Sequence, residues 1–198
     1  DLNFLDTLSS AELQSGLGEM SHYFVAVSKG DFNRFKKEYP LARQDKTVLN
    51  GLIERSLEIK KSYIEIDEFD RNKRQVFNYG HSFGHAIESL TNYEVPHGIA
   101  VSCGMDMANF VSVKLGYLQC EIRQEIRELL EQIWDGYVIS NLSIEKFANA
   151  LSKDKKNVGK ELRLILCKGY GELFKAGIPL DGQFIGLLEE YFDKELVH

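Results

Sequence analysis

The chain has 198 residues, enough for one sizeable hydrophobic core, as one domain with at most an appendage. Its 43% hydrophobic and 27% charged residues are ordinary for a globular chain, and a net charge of −6 speaks against a broadly basic nucleic-acid surface. No apolar run reaches the roughly 20 residues that a bilayer-spanning helix needs, and the first residues lack the basic region of a signal peptide. A cytoplasmic protein with neither nucleic-acid nor membrane partners is therefore expected. Cys103, Cys120 and Cys167 are odd in number and widely separated, which reads as reduced thiols without a role. The sequence opens on Asp1 rather than Met, directly in a segment that looks structured, so a piece of a longer protein is expected.

In chain order the pattern is mainly helical. Ser9 or Ser10 caps a first helix through Leu13, Leu17, Met20, Phe24 and Val27, with Gly30 as its stop. Asp31 opens a short second helix that ends before Pro40, and Thr47 caps a longer one through Leu49, Leu52, Ile53, Leu57 and Ile59. The polar stretch 66–73 reads as a loop. Further helices are expected over 78–91, 97–115, 120–134, 143–151 and 181–191. The exception is 162–166 and 172–176, two apolar runs flanking Gly169-Tyr170-Gly171, which read as a β-hairpin. Gly16-Leu17-Gly18 has no preceding strand and reads as close helix packing rather than a dinucleotide fingerprint.

Three of the five histidines fall within seventeen positions, in Asn78-Tyr79-Gly80-His81-Ser82-Phe83-Gly84-His85-Ala86-Ile87-Glu88 and Pro96-His97-Gly98. His81 and His85 are four apart, on one helix face. They lack the intervening Glu of a zinc-protease motif, so a metal chelate and a pair of structural histidines are both open from spacing alone. His97 strengthens the metal reading, and Glu19, read as buried in an otherwise apolar helix, is the candidate carboxylate, with a surface carboxylate as the alternative. Lys60, Arg74 and Asn78 upstream, and Lys155 and Lys156 downstream, are candidate anion-binding groups, with solvated surface charge as the alternative.

Together with Arg74, Gly104-Met105, Ser15-Gly16-Leu17-Gly18-Glu19-Met20, Lys60, Asp67-Glu68 and Asp154-Lys155-Lys156, this motif resembles dehydroquinate synthase and its sugar-phosphate cyclase relatives. The resemblance covers nearly the whole chain and matches the family's C-terminal domain, so residues 1–198 are expected to form one multihelical metal- and substrate-binding domain with one small β-hairpin. It implies an N-terminal Rossmann-like domain outside this chain that binds most of the NAD. It also implies a homodimer in the shikimate route to aromatic amino acids. Carried over by motif, Glu19, His81 and His97 would bind zinc or cobalt. Lys60 and Arg74 would hold a substrate carboxylate, while Asn78, His85 and Lys155 or Lys156 would face its phosphate. Asp70 would lie near the substrate hydroxyls. The implied reaction closes a carbocycle from a phosphorylated seven-carbon keto acid and eliminates phosphate; this chain alone is expected to be inactive.

Two departures stand out. The family reads Glu-x-x-Lys from the metal-binding glutamate, whereas here the third residue on is His22. It reads His-Gly-Glu after the third ligand, whereas here Ile99 follows Gly98, predicting weakened outer support for His97. Asp70 for the family's glutamate is milder, one methylene shorter. Two competing readings are a metal-dependent polyol or alcohol dehydrogenase, and a non-catalytic domain that keeps the fold.

Overall fold

The computed structural model describes residues 2–69, 71–137, 139, 142–153 and 161–196. The expectations placed on Asp70, Lys155 and Lys156 lie outside them. After a 3-10 segment, Leu2–Thr7, the chain forms helices α1 (Ser10–Val27), α2 (Lys29–Ala42) and α3 (Lys46–Ile66). A second 3-10 segment, Lys73–Asn78, leads into α4 (His81–Leu90), α5 (His97–Lys114), α6 (Cys120–Trp134) and α7 (Ile144–Ser152). Strands β1 (Glu161–Cys167) and β2 (Leu173–Pro179) and helix α8 (Gly182–Lys194) follow. The fold is thus mainly helical, with one antiparallel hairpin pairing Glu161 with Pro179 and Cys167 with Leu173.

Local chemistry sets the helix starts. Ser9 and Glu12 form a reciprocal capping box at α1. At α2 the cap is Ser28, whose Oγ accepts from the Asp31 amide, so Gly30 falls inside the helix instead of ending α1. Pro40 likewise sits within the last turn of α2 rather than beyond it. Asp45, not Thr47, caps α3, accepting from the Thr47 and Val48 amides. The histidine helix begins at His81 rather than at 78, because Gly80 adopts φ +78° and breaks the register from the 3-10 segment.

Helix α5 is the axis of the domain. Every residue from Gly98 to Ser112 is buried, as expected of a helix packed on all sides. It touches α1, α4, α6 and β1. Its small residues permit backbone-to-backbone approach. A Cβ on Gly98 would fall onto the Ser15 carbonyl oxygen of α1 and lie 2.7 Å from the Glu19 amide nitrogen. A Cβ on Gly104 would fall onto the Gly80 carbonyl oxygen. The expected close packing at Gly18 is present, facing the Gly98 carbonyl, whereas Gly16 meets nothing within 4 Å.

One charged residue interrupts this apolar helix. Asp106 is fully buried and accepts from Arg123 Nε and Nη2 at 3.0 and 2.9 Å, from Arg127 Nη1 at 2.5 Å and from the Tyr191 hydroxyl at 2.9 Å. Both arginines also reach Glu195, at 2.8 and 3.2 Å. This network ties α5, α6 and the end of α8 together, with every carboxylate oxygen of Asp106 paired as burial demands.

Candidate metal centre

The site lies where α1, α4 and α5 meet. The fully buried Tyr79 donates its hydroxyl proton to Asn109 Oδ1 at 2.5 Å, pinning the approach to α4 against α5. Gly80 then turns the chain so that α4 starts at His81. Pro96 precedes His97, which opens α5. Glu19 lies one helical turn beyond Ser15, whose Oγ accepts the Gly98 amide proton at 3.0 Å. The α1–α5 crossing therefore brings Glu19 against His97.

Three donor atoms converge. Glu19 Oε2 lies 3.6 Å from His81 Nε2 and 3.4 Å from His97 Nε2. One ligand atom from each of the three residues lies within 4.8 Å of the others. The opposite edges of both rings are fixed. His81 Nδ1 lies 3.1 Å from the Tyr79 carbonyl oxygen, and His97 Nδ1 lies 3.0 Å from Glu88 Oε2. With Nδ1 protonated to serve those acceptors, each ring turns an Nε2 lone pair inward, the arrangement used by metal-binding histidines.

Glu19 Oε2 is the atom that tests whether a cation fits. The side chain is 34% exposed, more open than the sequence suggested, yet Oε2 itself is buried with no hydrogen-bond partner. Burial favours protonating this carboxyl, but the two imidazoles outweigh it and hold the group well below the usual carboxylate range. Across from it, the Glu19 carboxylate, 3.4 Å from Nε2, raises His97 to about 9 despite burial, with Glu88 adding to the rise, so a cation bound at Nε2 would take the place of a proton there. The unpaired oxygen and the two inward nitrogens fit a divalent cation such as zinc. One carboxylate and two imidazoles are a common catalytic ligand set, leaving a position for substrate or water.

The remaining candidates are distributed around this point. His85 is exposed, its ring 5.7 Å from those of His81 and His97. A second group, His85, Glu88 and His97, shares the His97 ring. Its Glu88–His97 contact has hydrogen-bond length, which suits Glu88 to orienting that ring. Arg74 donates from Nη1 to the Glu68 carbonyl at 2.8 Å, and Asn78 Nδ2 donates to the Gln75 carbonyl at 3.1 Å. Lys60 is on the exposed side of α3. The structure thus brings Glu19, His81, His97, His85 and His22 together.

Sequence reasoning missed three features. Glu88 supplies the outer support that Ile99 was expected to lack; Ile99 itself is fully buried in the core. Glu88 falls seven residues after His81, on the same helix face, so its spacing did carry the signal. Asp67 accepts the amides of Arg71, Asn72 and Arg74 at 3.0, 2.8 and 3.0 Å, shaping the segment that carries Arg74. Phe77 packs between Tyr23 and Tyr63, ring centroids 4.7 and 4.4 Å away, as an aromatic wall beside the histidines. In that wall, burial and the Glu19 charge push Tyr23 up to about 12, against the pull of the Arg74 cation.

The helical fold that carries this site is shared with solved synthases. Over all of this chain and 56% of its own, 2-deoxy-scyllo-inosose synthase, solved with carbaglucose-6-phosphate, NAD+ and Co2+, superposes with a TM-score of 0.78 at 18% identity. The 2-epi-5-epi-valiolone synthase of Streptomyces hygroscopicus subsp. jinggangensis, solved with NAD+ and Zn2+, gives 0.74 at 19% identity, over 96% of this chain and 55% of its own. The family model for the 3-dehydroquinate synthase C-terminal domain matches residues 16–157, and the chain belongs to that family. Among curated relatives, the 3-dehydroquinate synthase of Helicobacter pylori is 37% identical over 192 residues, 96% of this chain and 54% of that protein. That of Dictyoglomus turgidum is 35% identical over 175 residues, 87% of this chain and 49% of that protein. The chain spans about half the length of these relatives.

Proposed function

We propose that this chain is the metal- and substrate-binding domain of a 3-dehydroquinate synthase-type lyase, which closes a carbocycle from a phosphorylated seven-carbon keto acid and releases phosphate. The observation that carries this reading is the orphaned Glu19 Oε2, facing the inward Nε2 atoms of His81 and His97. In this reading residues 1–198 form one domain of a two-domain protein. NAD would be held mainly by a preceding domain, and the functional unit would be a cytoplasmic homodimer.

Glu19, His81 and His97 would hold zinc, or cobalt in its place. The metal would supply Lewis acidity toward neighbouring substrate hydroxyls, lowering their pKa and fixing their orientation. The chain's own residues do the rest. Arg74 and Lys60 bind the substrate carboxylate, Arg74 by a two-pronged hydrogen bond and Lys60 as a point charge. His85 and Asn78, with Lys156 or Lys155, hold the phosphate, so that a phosphate oxygen can take the proton lost during elimination. His85, open to solvent beside the metal ligands, is suited to passing that proton on. Asp70 would contact ring hydroxyls, and His22 stands where the family has a lysine. Phe77 and Tyr23 shield one side of the site from water.

The decisive experiment is phosphate release by the full-length protein supplied with zinc, NAD+ and the seven-carbon keto-acid phosphate. Steady release with formation of dehydroquinate is expected. Absence of turnover in protein that has bound both metal and NAD+ would reject this substrate. The dehydrogenase reading has no observation in its favour. The non-catalytic reading rested on His22 and Ile99, and the Glu88–His97 contact removes half of its support.

A further inference from the structure

His22 is 1% exposed, and neither of its ring nitrogens has a hydrogen-bond partner. A buried imidazole left in this condition is costly, so it needs an explanation. Its surroundings are the Tyr23 ring at 3.9 Å, the Phe77 ring at 5.9 Å and the edge of His81 at 5.2 Å between centroids. Two acceptors on Glu19 adjoin the ring: its main-chain carbonyl, and its Oε1, which lies 3.9 Å from His22 Nδ1, beyond hydrogen-bond length. The two carboxylate oxygens of Glu19 are therefore divided. Oε2 faces the two ligand imidazoles, while Oε1 faces His22.

We propose that His22 is a positioning residue of the metal centre, donating from Nδ1 to Glu19 Oε1 so that the carboxylate coordinates through Oε2 alone. This rests on the metal reading above. It gives Glu19 the same outer support that the Tyr79 carbonyl gives His81 and Glu88 gives His97, so each of the three ligands is oriented by one neighbour. It also assigns a purpose to replacing a lysine here. A neutral donor orients the carboxylate without competing with the metal for its charge, which an ammonium group would do.

The test is zinc affinity of the full-length protein, read by competition with a chromophoric chelator, for the unmutated chain, His22→Leu and His22→Asn. Leucine and asparagine have nearly the same shape, so the difference between them reports the lost donor. The expected result is a roughly 10- to 100-fold weaker affinity for His22→Leu, with His22→Asn recovering most of it. Equal affinities for the two variants, or a His22→Leu value like the unmutated one, would overturn the proposal. Should the variants not fold, nitrogen NMR of histidine-labelled unmutated protein decides. Zinc should fix His22 as the Nδ1–H tautomer with a hydrogen-bonded proton signal, and an unchanged His22 resonance refutes the idea. Unmutated protein that takes up no zinc would instead refute the metal reading itself.

Discussion

His97 and Glu88 stand 3.0 Å apart, Nδ1 to Oε2, across the turn that joins α4 to α5. The contact sets which edge of the His97 ring, that of Nε2, points into the site, and it comes from the helix that carries His81, not from the residues after His97. Both imidazoles of the proposed metal site, and the group that aims one of them, are thus held by a single pair of packed helices.

Removing the aiming group should weaken the site without dismantling it. Glu88→Gln is expected to lower zinc affinity about 10- to 100-fold, whereas His97→Ala should abolish stoichiometric zinc. Metal content after dialysis and chelator competition measure both. Full zinc occupancy in His97→Ala would show that the cation sits elsewhere.

Gly98, at the α1–α5 crossing, and Gly16, on the open face of α1, should respond in opposite directions. Gly98→Ala drives a Cβ into the Ser15 carbonyl, backbone that cannot step aside, and is expected to cost at least about 1–3 kcal/mol. Gly16→Ala, where a Cβ meets nothing within 4 Å inside α1, is expected to stabilise by about 0.5–1 kcal/mol. Urea unfolding of the two variants provides the comparison, and a neutral Gly98→Ala would contradict the packing described.

Asp106→Ala removes the acceptor shared by Arg123, Arg127 and Tyr191. Both arginines are at least nine-tenths buried, so each would keep a charge with fewer partners. A loss of about 3–5 kcal/mol is expected, visible as a large fall in melting temperature with Glu19, His81 and His97 untouched.

Asp67 gives the acid limb of the stability profile a local origin. Its hydrogen bonds from the Arg71, Asn72 and Arg74 amides hold its carboxyl below the ordinary 3.8. A carboxylate with a depressed folded pKa contributes stability that is present above the unfolded value and lost as pH falls through the folded one. Exchange of those three amide protons, corrected for the intrinsic rate, should therefore accelerate as pH drops below 3.8. Asp67→Asn should show the loosened behaviour already at neutral pH; protection equal to that of the unmutated chain would sink the assignment.

What the sequence made legible follows physical range. Helix α6 shows the predicted span, Cys120–Trp134, because one apolar stripe runs its whole length, and Ser9, Ser143 and Asp181 cap as their side chains require. The α2 start was misread because Gly30 is a strong stop signal only when no better cap lies nearby, and Ser28 is one. At the site, the motif singles out Glu19, His81 and His97, and their convergence in space is a product of two helix crossings. Asp67 and Phe77 were not, since acceptance of backbone amides and the edge of an aromatic ring leave no periodic trace.

The crossings of α1 with α5 and of α4 with α5 are made by main chain against main chain, at Gly18, Gly98, Gly80 and Gly104. Distances between the donors are consequently insulated from the volume of the side chains around them. In the proposed reading, core side chains could change, and His22 or Ile99 be exchanged, while the triangle of donor atoms keeps its dimensions. Divergence in such a lineage would be written in the groups that steer the ligands, which makes Glu88 and His22, rather than the ligands, the positions at which to compare its members.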